Sequence, residues 1–356
     1  MRLIIPFIIF FIFSFLANGQ VGGKTGYDFV NFPLNAKAAA IGGINVSSRD
    51  GDVNMIHSNP GLMNSSMAGK GAISFVPFFA DISGTQLSYV FKAGKTKQLF
   101  GAGLQYFNYG SAKRTDETGL ETGTVYANDF VITASHARNL NNFTLGANAK
   151  LVGSQIDVYS SYALFVDFGA TWKHPMKDFS IGILAKNIGF PIKNYANNRW
   201  VAIPIDVQAG VSYKLEHLPF RFSFTIHHLH RWDIAYDDPN FSNTTDLNGN
   251  QQRVKVPWYD NLIRHFVFGG EFFLTKGFHI RGGYNHMVRS ELRLPNEFGA
   301  SGFSFGVMLR IKSVELAYSS MFLHTVGNTN LFTLGINFGA MSEKFKKKVE
   351  EPPVSN

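Results

Sequence analysis

The chain has 356 residues, no Cys, 16% charged residues, 35 Phe, 13 Tyr, 35 Gly and a formal charge of +8. Absence of Cys excludes a disulfide framework, a thiolate metal site and a lipid-modified N-terminal Cys. Soluble domains carry roughly 25% charge, and the basic excess clusters at Lys344, Lys346, Lys347 and Lys348, a solvated tail rather than a nucleic-acid footprint.

Met1-Arg2, an apolar run from Leu3 to Leu16 and the small residues Ala17-Asn18-Gly19 read as a secretory signal peptide over residues 1–19, cut before Gln20. The rival, an uncleaved anchor, needs about 20 apolar residues and finds a shorter run. Residues 20–70 show little strand alternation. An Ala-rich piece at Ala36 to Ile41, Gly42-Gly43 and Asn59-Pro60-Gly61 predict a short N-terminal element with a helical turn or two, lying inside a barrel as a plug or hanging in the periplasm.

From Gly71 to Phe338 the chain divides into about fourteen segments of roughly ten residues with every second position apolar, the period and length of tilted membrane-spanning strands. Phe303, Phe305, Val307, Leu309 and Ile311 predict one lipid-facing row, with Gly302, Ser304, Gly306, Met308 and Arg310 facing inward. Tyr162, Leu164, Val166, Phe168, Ala170 and Trp172 predict another, with Phe165 an apolar exception on the inner face. No stretch after residue 19 reaches the ~18 apolar residues of a spanning helix, so the expected fold is all-β, a transmembrane antiparallel β-barrel over 71–338, closed because lipid leaves free edges unsatisfied.

Short and long gaps alternate, as in outer-membrane barrels and unlike a soluble β-sandwich. Asn139–Asn142, Thr275–Gly277 and Ile311–Ser313 are tight; Ser111–Tyr126, Gly189–Ala202, Trp232–Tyr259, Arg289–Ala300 and Phe322–Thr329 are long; Asp81–Ser83 and Gln155–Tyr159 break the pattern. Tyr106, Phe107, Tyr109, Tyr126 and Tyr259 are expected in an interfacial aromatic girdle, and residues 339–356 as a periplasmic tail.

Candidate chemistry is sparse, and no catalytic residue is expected. Asp81 and Ser83 lack a Gly-x-Ser-x-Gly elbow, and Ser301 to Gly306 lies within a strand pattern. His227, His228, His230 and His265 are numerous enough for a metal, but strand alternation puts His227 on the opposite face from His228 and His230, so polar residues near a strand end are expected, with no metal and no cofactor. Inward Asp167, Lys186, Asp206, Arg281, Arg310 and Glu315 either line a channel or pair across the lumen. Trp232, Tyr236, Asp237, Asp238, Phe241, Trp258 and Tyr259, in the longest loop, are candidate partner anchors, the other reading being girdle residues on a mobile loop.

The blocks GGKTGYDFVNFPLNAKAAAIGG from Gly22, DGDVNMIHSNPGLMN from Asp50, FFADISGTQLSYVF from Phe78 and FNYGSAKRTDETG from Phe107 resemble the PorQ family of the type IX secretion system. The resemblance covers nearly the whole mature chain and is weakest in the loop from Trp232 to Tyr259. It extends to the wider FadL-like superfamily, whose fourteen-stranded barrel has an N-terminal hatch with an Asn-Pro-Ala signature, here Asn59-Pro60-Gly61. It implies a non-catalytic outer-membrane anchor for a surface complex, with a PorZ-like protein, a PorU-like sortase and a PorV-like barrel as partners, attaching secreted proteins to lipopolysaccharide. Transport of hydrophobic molecules and a PorV-like cargo shuttle are the alternatives.

Overall fold

A computed structural model describes residues 25–93, 98–195, 202–235, 243–245, 251–253, 256–292, 299–324 and 327–341. The expected signal peptide, Tyr236, Asp237, Asp238, Phe241 and the tail from 342 lie outside the described residues.

Strands β1 (Lys70–Pro77), β2 (Ser83–Lys92), β3 (Gln98–Thr115), β4 (Glu121–Leu140), β5 (Phe143–Ile156), β6 (Tyr159–Lys173), β7 (Phe179–Lys193), β8 (Asp206–Lys214) and β9 (Phe220–Ile226) follow one another antiparallel. A detached hairpin, β10 (Asn243–Thr245) with β11 (Gln251–Arg253), sits in the longest loop. The wall resumes with β12 (Phe266–Phe273), β13 (Phe278–Asn285), β14 (Phe303–Ile311), β15 (Val314–His324) and β16 (Gly327–Asn337). Pairing of β1 with β16, Phe75 opposite Phe332 and Lys70 opposite Asn337, closes a ring of fourteen strands. Every wall strand then has two neighbours, so its backbone groups are satisfied without solvent.

The predicted facing holds. On β14, Phe303, Phe305, Val307, Leu309 and Ile311 are exposed outward, whereas Ser304 and Met308 are buried inward. On β6 the outward row includes Leu164 and Phe168, and Ala163, Phe165 and Asp167 are buried. Such an outer face is costly in water and stable in hydrocarbon, where contiguous apolar surface needs no cover.

Tight turns gather at one end. Asn141 between β4 and β5, and Lys312 between β14 and β15, both take left-handed backbone, the conformation that two-residue hairpin turns require. Two gaps expected to be long are instead mostly strand. β3 and β4 run on past the neighbouring wall as a paired ribbon to a turn at Asp116–Leu120, and β15 and β16 continue to His324 and Gly327. Their polar, Thr- and Lys-rich stretches lack the period of a lipid-facing row, but cross-strand hydrogen bonding does not need it. Phe107 is likewise not a girdle residue: it points inward and packs edge-on against Phe29 and Phe32. Tyr106 and Tyr126 remain exposed on the outer side.

Candidate functional site: the plugged lumen and the long-loop rim

The N-terminal element lies inside the barrel. A 3-10 turn (Asp28–Asn31), helix α1 (Ala36–Ala40) and three further 3-10 turns (Val53–Ile56, Pro60–Leu62, Ser65–Met67), with the segments between them, carry its buried residues. Three apolar clusters join it to the wall. Met55, Ile56, Leu62, Met63 and Met67 pack with Val90, Leu99 and Ala137. Leu34, Ala36 and Ala39 pack with Val76, Phe107 and Leu331, and Tyr27 and Val30 with Val131, Val152 and Phe165. Phe165, the exception on the inner face, is explained here: its ring stands edge-on to Tyr27, centroids 5.8 Å apart.

Helix α1 is four alanines and Lys37, all buried against the wall and the rest of the plug. Asn35 Oδ1 accepts from Ala38 N at 2.9 Å, capping the helix start. Ser304 Oγ donates to Ala40 O and accepts from Gly42 N, while Ala36 N donates to Thr333 Oγ1. The orphan groups of a short helix are thereby satisfied by the wall.

Asn59-Pro60-Gly61 forms the tightest contact. Asn59 is fully buried; its Oδ1 accepts from Gly61 N at 2.8 Å and its Nδ2 donates to Val46 O at 2.7 Å. Pro60 supplies the fixed φ that suits the first position of a helical turn. A Cβ on Gly61 would stand 2.9 Å from the backbone N and C of Ala170 on β6, so the small residue at the end of this motif is a packing requirement. The opposing wall is also glycine: side chains at Gly146 and Gly169 would overlap Pro60 and Asn59.

Charges inside the barrel mostly pair. Lys37 from the plug, 1% exposed, meets Asp50 at 2.5 Å; Arg221 of β9 bridges Asp50 at 3.2 Å and Glu271 at 3.0 Å; Arg281 of β13 meets Glu271 at 3.1 Å. Between the adjacent strands β5 and β6 Lys150 meets Asp167 at 2.6 Å, and Asn148 Nδ2 donates to both Asp167 and Ile56 O of the plug. Of the inward charges expected, Asp167 and Arg281 belong to these networks. Arg310 and Glu315 pair at 2.6 Å at the tight-turn end, part-exposed. Lys186 lines the cavity described next, and Asp206 accepts from His228 N at 2.7 Å and Gln208 Nε2 at 2.5 Å.

A cavity of about 330 Å³ remains between plug and wall, lined by apolar Phe32, Ile44, Met321 and Leu323 and by polar Gln105 and Lys186.

The rim at the other end holds three of the candidate anchors. Trp232 stacks on His265 at 5.8 Å and is exposed. Trp258 and Tyr259 open helix α2 (Trp258–Arg264) and are 69% and 56% exposed. Asp260 ties α2 to helix α3 (His286–Leu292), its carboxylate meeting Arg264 Nε at 2.8 Å and His286 Nε2 at 3.2 Å. Burial alone would raise the Asp260 carboxyl, but these hydrogen bonds hold it below its ordinary value.

The histidine expectation needs correction on one point. β9 ends at Ile226 and His228 has φ of 55°, so strand alternation stops. The His227 and His228 rings turn to the same side, Nδ1 to Nδ1 2.5 Å apart, beside Asp206. His228 takes the left-handed backbone that turns the chain here, and a histidine in the sequence does not by itself mark such a residue.

A closed, fourteen-stranded antiparallel barrel with an apolar outer face and a folded plug defines the class: a plugged membrane β-barrel of the outer-membrane type. No family profile matches the chain, and no curated protein does. Among solved structures, it is similar to the toluene transporter TbuX of Ralstonia pickettii, with 12% identity, TM-score 0.49 and coverage of 86% of this chain and 98% of that one. The toluene transporter TodX of Pseudomonas putida gives 14%, 0.47, 86% and 97%. A FadL homologue of Pseudomonas aeruginosa gives 12%, 0.46, 85% and 98%.

Proposed function

We propose that this chain is a non-catalytic outer-membrane anchor of the PorQ kind, holding a PorZ-like surface protein, with PorU-like and PorV-like components, in a complex that processes secreted proteins and attaches them to lipopolysaccharide. The observation that carries the reading is the plug. Its ion pairs through Asp50 and its backbone seat against Gly146 and Gly169 hold folded chain inside the lumen, which suits a rigid support better than an open channel. The four sequence blocks that resemble PorQ run through the plug, β2 and the second half of β3, and aromatic side chains stand exposed at the long-loop rim, where a soluble partner docks through such anchors.

Deleting residues 238–251 is the direct test: the barrel stays inserted and the partner is released into the medium. A partner retained at the surface removes this loop from the interface.

The second reading is FadL-like transport of a hydrophobic small molecule, and the observation in its favour is the partly apolar cavity beside the plug. Uptake of a labelled lipid into liposomes containing the purified barrel, against empty liposomes, separates it from the anchor. Co-purification separates the third, a PorV-like shuttle: changing cargo on the barrel marks a shuttle, one fixed surface protein an anchor.

A further inference from the structure

The geometry points to a divalent metal site at the inner edge of the long-loop rim, formed by Asp206, His227 and His228, which takes a zinc-like ion and staples the first residue of β8 to the root of the longest loop. One donor atom from each of these three side chains lies within 4.8 Å of the others. His227 is fully buried, Asp206 is 3% exposed, and His228 opens onto the interior cavity, which gives an ion a way in.

Two imidazole nitrogens and a carboxylate oxygen are the donor set of open tetrahedral zinc sites, where a water completes the shell. In that geometry, with bonds of about 2.0–2.2 Å, donors stand roughly 3.3 Å apart. The two Nδ1 atoms are 2.5 Å apart and His228 Nδ1 is 3.9 Å from Asp206 Oδ1. Ring rotations that open the first distance and close the second by under an ångström bring His228 into register with both partners, and the remaining edge between His227 and Asp206, within 4.8 Å, closes as the His227 ring turns.

Hydrogen bonding leaves ring nitrogens over. The two Nδ1 atoms face each other within hydrogen-bond distance, whereas His227 Nε2 and His230 Nδ1 are buried with no hydrogen-bond partner among the described residues. The His230 ring lies 5.9 Å from that of His228, near enough to complete the shell in place of water. A buried polar atom without a partner carries a desolvation cost that a metal ligand does not. The neighbours are arranged to hold the donors still. Asp206 Oδ1 accepts from His228 N at 2.7 Å, and Gln208 Nε2 donates to Asp206 Oδ2 at 2.5 Å. His265 Nδ1 meets His227 O at 2.7 Å, and His265 Nε2 meets Trp232 O at 3.1 Å. Outer hydrogen bonds of this kind fix ligand orientation in metal sites. Charged groups near the cluster include Asp28 and Lys186, which line the same cavity, and Arg231. Lys186 stands opposite Asp206 in the β7–β8 register and interacts with it electrostatically, without an ion pair within 4 Å among the described residues. The consequence is mechanical: an ion here fixes the segment that leads to Trp232.

The test uses the full mature chain without a histidine tag, solubilised in detergent and stripped with EDTA, then titrated calorimetrically with zinc chloride. One ion per chain is expected, and cobalt substitution gives the intense visible bands of a tetrahedral site. His228→Gln and Asp206→Asn each weaken zinc binding by at least about tenfold, since changes to outer partners alone cost 10–100-fold; exposed His217→Gln does not. Heat-modified migration on gels shows that each variant barrel is folded; should Asp206→Asn fail this check, His228→Gln and the cobalt spectrum still decide. No stoichiometric zinc on the wild-type chain, or equal affinity in a folded His228→Gln variant, overturns the site.

Discussion

Asn59 of the plug sits directly over Gly169 of β6, with its Oδ1 where a side chain at that glycine would begin. At this point the barrel wall accepts the plug only because a Cβ is missing. Gly169→Ala forces either Asn59 or the strand to move, and overpacking of this kind costs about 1–3 kcal/mol. A lowered melting temperature in micelles and faster trypsin cleavage of the plug are expected. Gly282→Ala, whose added carbon meets nothing closer than Ser304 O at 3.9 Å, leaves both unchanged.

Lys37 is buried and relies on Asp50. Asp50→Ala leaves it, and in part Arg221, without a counter-charge, and breaking a buried pair from one side costs about 3–5 kcal/mol. Adding Lys37→Met to that variant restores much of the loss, because a buried methionine needs no partner. A double-mutant cycle on unfolding free energy measures the coupling, and additive effects refute the pairing.

Two phenylalanines three positions apart on β6 make opposite predictions. Phe165 is buried against Tyr27, so Phe165→Ala costs about 3–5 kcal/mol as a core truncation. Phe168 faces outward and is 57% exposed. There the damaging change is a charge: Phe168→Arg costs about 2–4 kcal/mol if it meets the hydrocarbon midplane. Unfolding of both variants in lipid bilayers checks the assignment of faces.

Trp258→Ala and Tyr259→Ala remove exposed aromatic surface at the start of α2. If these residues anchor a partner, each loses about 2 kcal/mol of binding, near thirtyfold in affinity, with the melting temperature unmoved. Pull-down of the surface partner by the variants, against wild type, reads the outcome.

The wall was legible because its cause is local. Alternation at Phe303 to Ile311 or Tyr162 to Trp172 states which side meets lipid, and closure follows from the absence of water. Where sequence reasoning erred, the deciding partner was remote. Phe107 had the composition of a girdle residue, and Phe29 and Phe32 draw it inward. The stretches beyond Ser111 and Phe322 lacked a lipid period, yet pair as extended ribbon.

By itself, then, the order of side chains determined a lipid-facing barrel of about fourteen strands with long loops at one end, since period two and turn residues act between neighbours in the chain. Only the tertiary structure decided that the N-terminal element fills the lumen, that Asn59 seats on Gly169, and that His227 and His228 converge on Asp206. Those relationships join residues far apart in sequence, or rest on one left-handed backbone angle, and no local pattern encodes either.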